Sequence, residues 1–151
     1  MNEEMQDTYR VVPFEQKYAD QTVQMWRDSK EAAIGQKEIH SFESHLYFLN
    51  EILPKEFEID IVLLNEQVVG IMAYNENEIS QLYVHNDYQG KGIGKVLLSR
   101  AKEKSSGCLS LYTFEINEKA QKFYSRNGFE ITARGHENEE NLPDVRMEWK
   151  L

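Results

Sequence analysis

From residue 57 to residue 84 the apolar positions arrive in short runs separated by polar turns. Phe57–Leu64 is rich in Ile and Val, Asn65-Glu66-Gln67 is polar, Val68–Tyr74 is apolar again, Asn75-Glu76-Asn77 is polar, and Glu78–Val84 is a third run. Runs of this length bounded by turn residues read as strands, and connections this short allow only antiparallel neighbours. Upstream the period is different. Phe14, Tyr18, Ala19, Thr22, Met25 and Trp26 recur at helical spacing, which predicts an amphipathic helix over Phe14–Lys30. Phe42, His45, Leu46, Leu49 and Leu53 predict a second helix over Ser41–Leu53, ended by Pro54, with the break between the two helices at Gly35 and Gln36. Tyr9–Val12, stopped by Pro13, reads as an edge strand.

Downstream the elements alternate. A helix is predicted over about residues 92–104, closed by Ser105-Ser106-Gly107, and Cys108–Phe114 is a strand. Asn117–Asn127 is a short helix with Ala120, Phe123 and Tyr124 on its inner side and Gly128 as its C-terminal stop. Phe129–Ala133 is a strand, Arg134–Pro143 is a polar acidic loop, and Asp144–Leu151 alternates with Val145, Met147 and Trp149 on one face. This order predicts an α+β fold in one domain over residues 1–151: a mixed, mostly antiparallel sheet with helices packed on both faces. The strands of Glu78–Phe114 are joined by a helix, so they pair in parallel or splay apart. Residues 1–7 are polar and predicted to fray.

Composition narrows the classes of function. A hydrophobic share of 40% with 28% charged residues is ordinary for a soluble globular chain. A formal net charge of -9 argues against general binding to nucleic acid or to an anionic membrane surface. No apolar run approaches the roughly 20 residues needed to span a bilayer. The N-terminal stretch is acidic and has no apolar core, unlike a secretory or transit peptide. One cysteine, Cys108, fits a reducing compartment, and a cytoplasmic location is predicted. His40 and His45 lack the helical spacing of a metal-ligand pair and no metal is predicted. Cys108 is predicted to be buried rather than nucleophilic.

The candidate chemistry lies in Gln89-Gly90-Lys91-Gly92-Ile93-Gly94-Lys95, which leads from a strand into a helix. No Ser, Thr, Asp or Asn stands directly before that helix to cap it, so its first-turn N–H groups are left for a ligand, with the helix dipole adding partial positive charge. Between Gln89 and Lys104 five cations (Lys91, Lys95, Arg100, Lys102, Lys104) face a single Glu103. An anion site of pyrophosphate size is the direct reading, and a tight strand-to-helix turn with no ligand is the bland alternative. The spacing fails the P-loop, whose second glycine would fall on Lys95, and departs from the dinucleotide fingerprint, having G-x-G-x-G and five residues between strand and glycine.

The glycine stretch resembles the Gln/Arg-x-x-Gly-x-Gly/Ala loop of the GNAT superfamily of acyl-CoA-dependent N-acetyltransferases. Asn117, Ala120, Phe123-Tyr124 and Gly128-Phe129 resemble its second signature, in the right order and at the usual separation. The resemblance covers essentially the whole chain and implies the single-domain GNAT fold with acetyl-CoA as co-substrate. By that resemblance Gln89, Gly90, Lys91, Gly92, Ile93, Gly94 and Lys95 hold the pyrophosphate. The backbone of Leu82, Tyr83 and Val84, on a strand that usually carries a bulge and splays from the next, pairs with the pantetheine arm. A backbone N–H near Val84 faces the thioester oxygen, and Asn117 hydrogen-bonds the cofactor. Tyr124 matches the tyrosine that protonates the departing thiolate. Glu78 matches the position of the general base in some members. Glu115, His85 and a water relay remain alternatives, since Tyr112 stands where other members carry a glutamate. The other partner is an amine acceptor, on a small molecule or a peptide, and Glu137, Glu139 and Glu140 are either a solvated loop or an attractor for a cationic amine. The alternative reading for this chain is a non-catalytic acyl-CoA-binding regulatory module on the same fold, and the resemblance also implies a homodimer, since dimerisation is common in the family.

Overall fold

The computed structural model describes residues 8–151, so the prediction of fraying over residues 1–7 lies outside the described residues. Among the described residues, seven strands and four α-helices follow one another in the predicted order. Strands β1 (Tyr9–Pro13), β2 (Glu58–Leu64), β3 (Gln67–Tyr74) and β4 (Ile79–Val84) form an antiparallel sheet in that order. Strands β5 (Cys108–Phe114), β6 (Glu130–Gly135) and β7 (Asp144–Lys150) form a second, in the order β5-β7-β6. The two meet through an isolated parallel bridge between Glu78 and Ser110. Beyond it β4 and β5 part. Both outcomes open to a helix-joined strand pair are therefore realised: one parallel bridge, then a splay.

Strand β2 shows why the sheet reads as a continuous apolar run. Ile61 and Leu63 enter one hydrophobic cluster with Val23 and Trp26 of helix α1 (Ala19–Ile34), while Val62 and Leu64 enter another with Leu97 and Leu98 of helix α3 (Ile93–Lys104). Alternate residues point to opposite faces, and a strand covered on both faces needs apolar side chains at every position. Each fully buried Leu or Ile there contributes about 1.5–3 kcal/mol. Asp60 is the exception. It accepts from Tyr74 Oη at 2.7 Å and from Arg100 Nη2 at 3.1 Å, so a buried carboxylate ties α3 to the sheet.

The first helix starts later and runs further than predicted. Gln16–Tyr18 is a 3-10 turn, α1 begins at Ala19, and Gly35 ends it in the left-handed conformation with φ 68°. Helix α2 covers Phe42–Tyr47, with Ser41 Oγ accepting from Ser44 N–H as its cap. The predicted remainder to Leu53 is instead a π turn, Phe48–Ile52, followed by a 3-10 turn holding Pro54. His45 is buried there, edge-on to Trp26 with centroids 4.3 Å apart, and its Nδ1 has no hydrogen-bond partner among the described residues. Helix α4 (Glu118–Arg126) packs Tyr124 against Phe129. Cys108 is half-buried, less enclosed than predicted, because it opens the first position of β5.

Candidate active site

A cleft of about 1570 Å³ occupies the gap where β4 and β5 part. Ser29, Lys30 and Ala33 of α1 line it together with Gly90, Gly92 and Lys95 at the start of α3 and Asn117 and Tyr124 at α4. Since α1 and α3 cover opposite faces of the sheet, the cleft passes from one face to the other.

The free edge of β4 forms one wall. His85 N–H donates to Val69 O at 2.9 Å, and Val84 pairs with Gly70. Antiparallel residues alternate in the edge they serve, so the backbone groups of Leu82 and Val84 turn away from β3 and towards the cleft. The Val84 carbonyl is already taken, accepting from Ser29 Oγ and from Gln89 Nε2 at 3.0 Å each. What the edge offers is the Leu82 N–H and C=O and the Val84 N–H. The strand carries a register shift opposite Ala73/Tyr74, which makes Ser80 the bulged residue. Tyr83 projects to the other face, stacked on Trp26 with centroids 5.8 Å apart.

The glycines at the helix entrance serve different ends. Gly90 and Gly92 have φ of 77° and 90°, in the left-handed region, and a Cβ at either would meet nothing within 4 Å, so the backbone is open to an approaching group. Gly94 is a packing residue, because a Cβ there would lie 3.1 Å from Phe123 Cζ. Gly92 occupies the cap position of α3 with no side-chain cap, and the N–H groups of the first turn have no helical partner. Gln89 clamps the loop to β4 through Val84, and its Oε1 accepts from Lys119 Nζ at 3.2 Å. The local excess of cations read from the sequence is dispersed in space. Arg100 turns to Asp60, Lys102 to Asn127 O and Lys104 to Glu58. Lys91 lies over the Tyr88 ring at 5.9 Å and outside the cleft lining, which leaves Lys95. Lys119 and Arg126 of α4 also line the cleft and carried no sequence signal, because they converge on the loop only through packing of α4.

Asn117 caps α4, its Oδ1 accepting from Ala120 N–H at 3.1 Å, and the residue lines the cleft. Tyr124 lines the cleft, and its hydroxyl makes no hydrogen bond among the described residues. Burial pushes its phenol well above the usual tyrosine value, with Tyr83 adding to the effect. The phenol is therefore fully protonated at any physiological pH.

Several sequence candidates are not brought to the cleft. Glu78 precedes β4 at the bridged end, where the sheets are still joined, and is not among the lining residues. His85 Nδ1 accepts from Asp87 N–H at 3.1 Å, a turn-capping role. Glu115 pairs with Arg134 at 3.6 Å on the surface.

A cluster that sequence reasoning missed lines the α1 side. Lys30 Nζ lies 2.6 Å from Glu140 Oε2 and 3.3 Å from Glu38 Oε1. Burial alone would lower the Lys30 pKa, but the hydrogen bond to Glu140 and the surrounding negative charge outweigh it and raise the pKa. Burial would likewise raise the Glu38 carboxyl; the Lys30 charge and backbone N–H groups of His40 and Ile39 lower it instead. Next to this cluster His40 Nε2 lies 3.0 Å from Glu139 Oε1. Of the three loop glutamates, Glu140 is thus withdrawn into an ion pair, Glu139 is exposed but bonded to His40, and Glu137 is exposed. The partners lie 99 and 110 residues apart, so no spacing rule could pair them.

Residues 57–131 match the acetyltransferase (GNAT) domain family. The chain is 27% identical over 130 residues to the peptidyl-lysine N-acetyltransferase YjaB of Salmonella typhimurium, covering 82% of this chain and 85% of that one. It is 33% identical over 95 residues to a spermidine N(1)-acetyltransferase of Thermoplasma acidophilum, covering 55% and 59% of the two chains. In three dimensions it resembles the PaiA N-acetyltransferase of Thermoplasma acidophilum in complex with coenzyme A, with a TM-score of 0.73 and 21% identity over 95% of this chain and 99% of that one. The splayed sheets, the two sequence signatures and these likenesses agree: the chain belongs to the GNAT superfamily. It is an acetyl-CoA-dependent N-acetyltransferase. No helix among the described residues is long and apolar enough to cross a membrane.

Proposed function

We propose that the chain transfers the acetyl group of acetyl-CoA to a primary amine of a small molecule or peptide, by direct attack within a ternary complex. The observation that carries this reading is the cleft between β4 and β5, lined by α1 from one face of the sheet and by the start of α3 and α4 from the other, which supports two substrates approaching from opposite sides and meeting between the strands. On one side the first-turn N–H groups of α3, the open backbone at Gly90 and Gly92, Ile93, Lys95 and the Asn117 amide bind the pyrophosphate end of the cofactor. Leu82 pairs along the pantetheine arm, and the Val84 N–H points where the thioester oxygen gains charge. On the other side α1 and the loop before β7 receive the amine. Residues 1–151 serve as one acetyltransferase domain in this reading.

The reaction forms a C–N bond and breaks a C–S bond, and the proton lost by the amine balances the one gained by the thiol. Tyr124 donates its hydroxyl hydrogen towards the departing sulfur. Because burial makes this phenol a weaker acid than a free one, it hands over its proton only as the C–S bond breaks, and is reloaded by the proton the amine releases. Glu78 stands outside the cleft lining, which favours a water relay over that carboxylate for removing the amine proton. The test is turnover of acetyl-CoA against a panel of primary amines. Calorimetry with acetyl-CoA in parallel separates loss of cofactor binding from loss of chemistry. Acetyl-CoA binding without transfer to any amine would overturn the reading.

The relatives named above act on a peptidyl-lysine and on spermidine, and both of those acceptors present a primary alkylamine. This supports an unhindered alkylamine as the attacking group here.

A further inference from the structure

The α1 mouth of the cleft has a charge pattern that selects among amines. Its lining includes three carboxylates, Glu139, Glu140 and Asp144, and one ammonium, Lys30. That ammonium is already shared between Glu140 and Glu38, whose side chains are 9% and 3% exposed, while Lys30 is 14% exposed. Asp144 Oδ2 accepts from the neutral amide of Asn138 at 2.9 Å and has no cation on it among the described residues. His40, beside Glu139, is exposed. Arg27 donates to the His40 carbonyl and does not line the cleft. With three carboxylates against one ammonium, this mouth carries an excess of negative charge in a partly dehydrated wall.

Two consequences follow for an acceptor. A carboxylate near the reacting amine, as in a free amino acid, would meet Glu139, Glu140 and Asp144, and the one ammonium within reach is already doubly paired. A second ammonium on the acceptor would instead find Asp144, held only by a neutral amide, with Glu139 and Glu140 beside it and one ammonium among more carboxylates than it can neutralise. The mouth is also spanned by two side-chain pairs, the Lys30–Glu140 ion pair and the His40–Glu139 hydrogen bond, each joining the α1 side to the loop before β7. A slim alkyl chain can pass between such pairs more readily than a folded surface.

We propose, resting on the acetyltransferase reading above, that the acceptor carries a second positive charge beside the amine that is acetylated: an unbranched di- or polyamine, or a lysine side chain flanked by basic residues. Glu139, Glu140 and Asp144 hold the spectator ammonium, and Lys30 fixes Glu140 in place as a positioning residue.

The experiment compares kcat/KM for 1,5-diaminopentane with that for 1-aminopentane, which differ by one terminal ammonium, and adds free lysine, spermidine and a lysine-containing basic peptide. The diamine is expected to exceed the monoamine by at least tenfold, with free lysine below the diamine. Raising the salt concentration should narrow the gap. Glu139→Gln, at an exposed position that leaves the buried cluster intact, and Glu140→Gln should each shrink the diamine-to-monoamine ratio while acetyl-CoA affinity stays within about twofold. The spermidine and peptide arms then report which carrier supplies the dication. Equal kcat/KM for diamine and monoamine, or a ratio that survives both variants, overturns the proposal while leaving acetyl transfer intact. Absence of transfer to every amine overturns the reading beneath it as well.

Discussion

The Lys30 ammonium lies 2.6 Å from the Glu140 carboxylate, although the two residues are 110 positions apart. Removing one partner of a buried ion pair leaves an uncompensated charge, which costs about 3–5 kcal/mol. Lys30→Met strands both Glu38 and Glu140 and is expected to lose stability of that order. Glu140→Gln leaves Lys30 on Glu38 at 3.3 Å and should cost less. Urea unfolding of both variants and of the double mutant checks this, with a coupling energy of about 1–3 kcal/mol expected. Strict additivity would show that the pair is not coupled in solution.

Tyr124 presents a hydroxyl to the cleft and buries its ring on Phe129. Tyr124→Phe keeps the packing and removes the proton donor. Turnover on a good acceptor should fall by about 10²-fold or more, with acetyl-CoA affinity unchanged. Stopped-flow rates and calorimetry read the two quantities separately, and wild-type turnover would remove Tyr124 from the mechanism.

Glu78 stands where the two sheets are still bridged. Glu78→Gln is therefore expected to keep kcat within about threefold of wild type, since a proton-transferring carboxylate would be worth about 10²–10⁴-fold. A loss in that larger range, with the bell-shaped pH profile losing its acidic limb, would restore Glu78 as the base.

Gly92 and Gly94 separate a conformational role from a packing role. Gly92→Ala keeps open space but strains a residue at φ 90°, so it should raise the KM for acetyl-CoA and cost about 1–2 kcal/mol. Gly94→Ala places a Cβ 3.1 Å from the Phe123 ring, so the ring must give by a few tenths of an ångström. Gly94→Ala should lower Tm, and a second change, Phe123→Leu, should recover part of the loss. A Gly94→Ala protein as stable as wild type would contradict this packing role.

His45 is buried and neutral, its pKa lowered from 6.5 to about 4 by burial, with Arg27, Lys30 and His40 acting in the same direction against Glu38. The unfolded chain takes up a proton below about pH 6.5, whereas the folded chain does so only near pH 4. The stability from the neutral ring is therefore complete above the unfolded value and lost as pH falls towards the folded one. Between about pH 7 and pH 4.5 the wild-type Tm should drop more than that of His45→Phe, as thermal scans would show. Parallel curves would mean that the ring does not titrate this way.

How much was legible follows from the range over which each feature is encoded. The hairpins β2-β3-β4 were readable because turn and strand residues are neighbours, and β2 because a strand covered on both faces must be apolar throughout. The second helix was readable only in part. Its apolar spacing fits a helix, yet Pro54 at its end and the packing of Leu49 and Leu53 convert its last turns to π and 3-10 geometry. Asp60 broke the apolar pattern without revealing why, since Tyr74 and Arg100 reach it from other elements.

The sequence by itself determined the elements, their order, the uncapped helix entrance after Gln89 and the tyrosine of the second signature, because these depend on residues within a few positions of one another. Tertiary structure decided which of those groups share a cavity. It excluded Glu78 and Lys91 from the cleft lining, spent the Val84 carbonyl on Ser29 and Gln89, dispersed the cations of α3, and joined Lys30 to Glu38 and Glu140. The physical reason is that a buried charge or an unpaired carbonyl must find a partner in space, and the partner that folding supplies can lie anywhere along the chain.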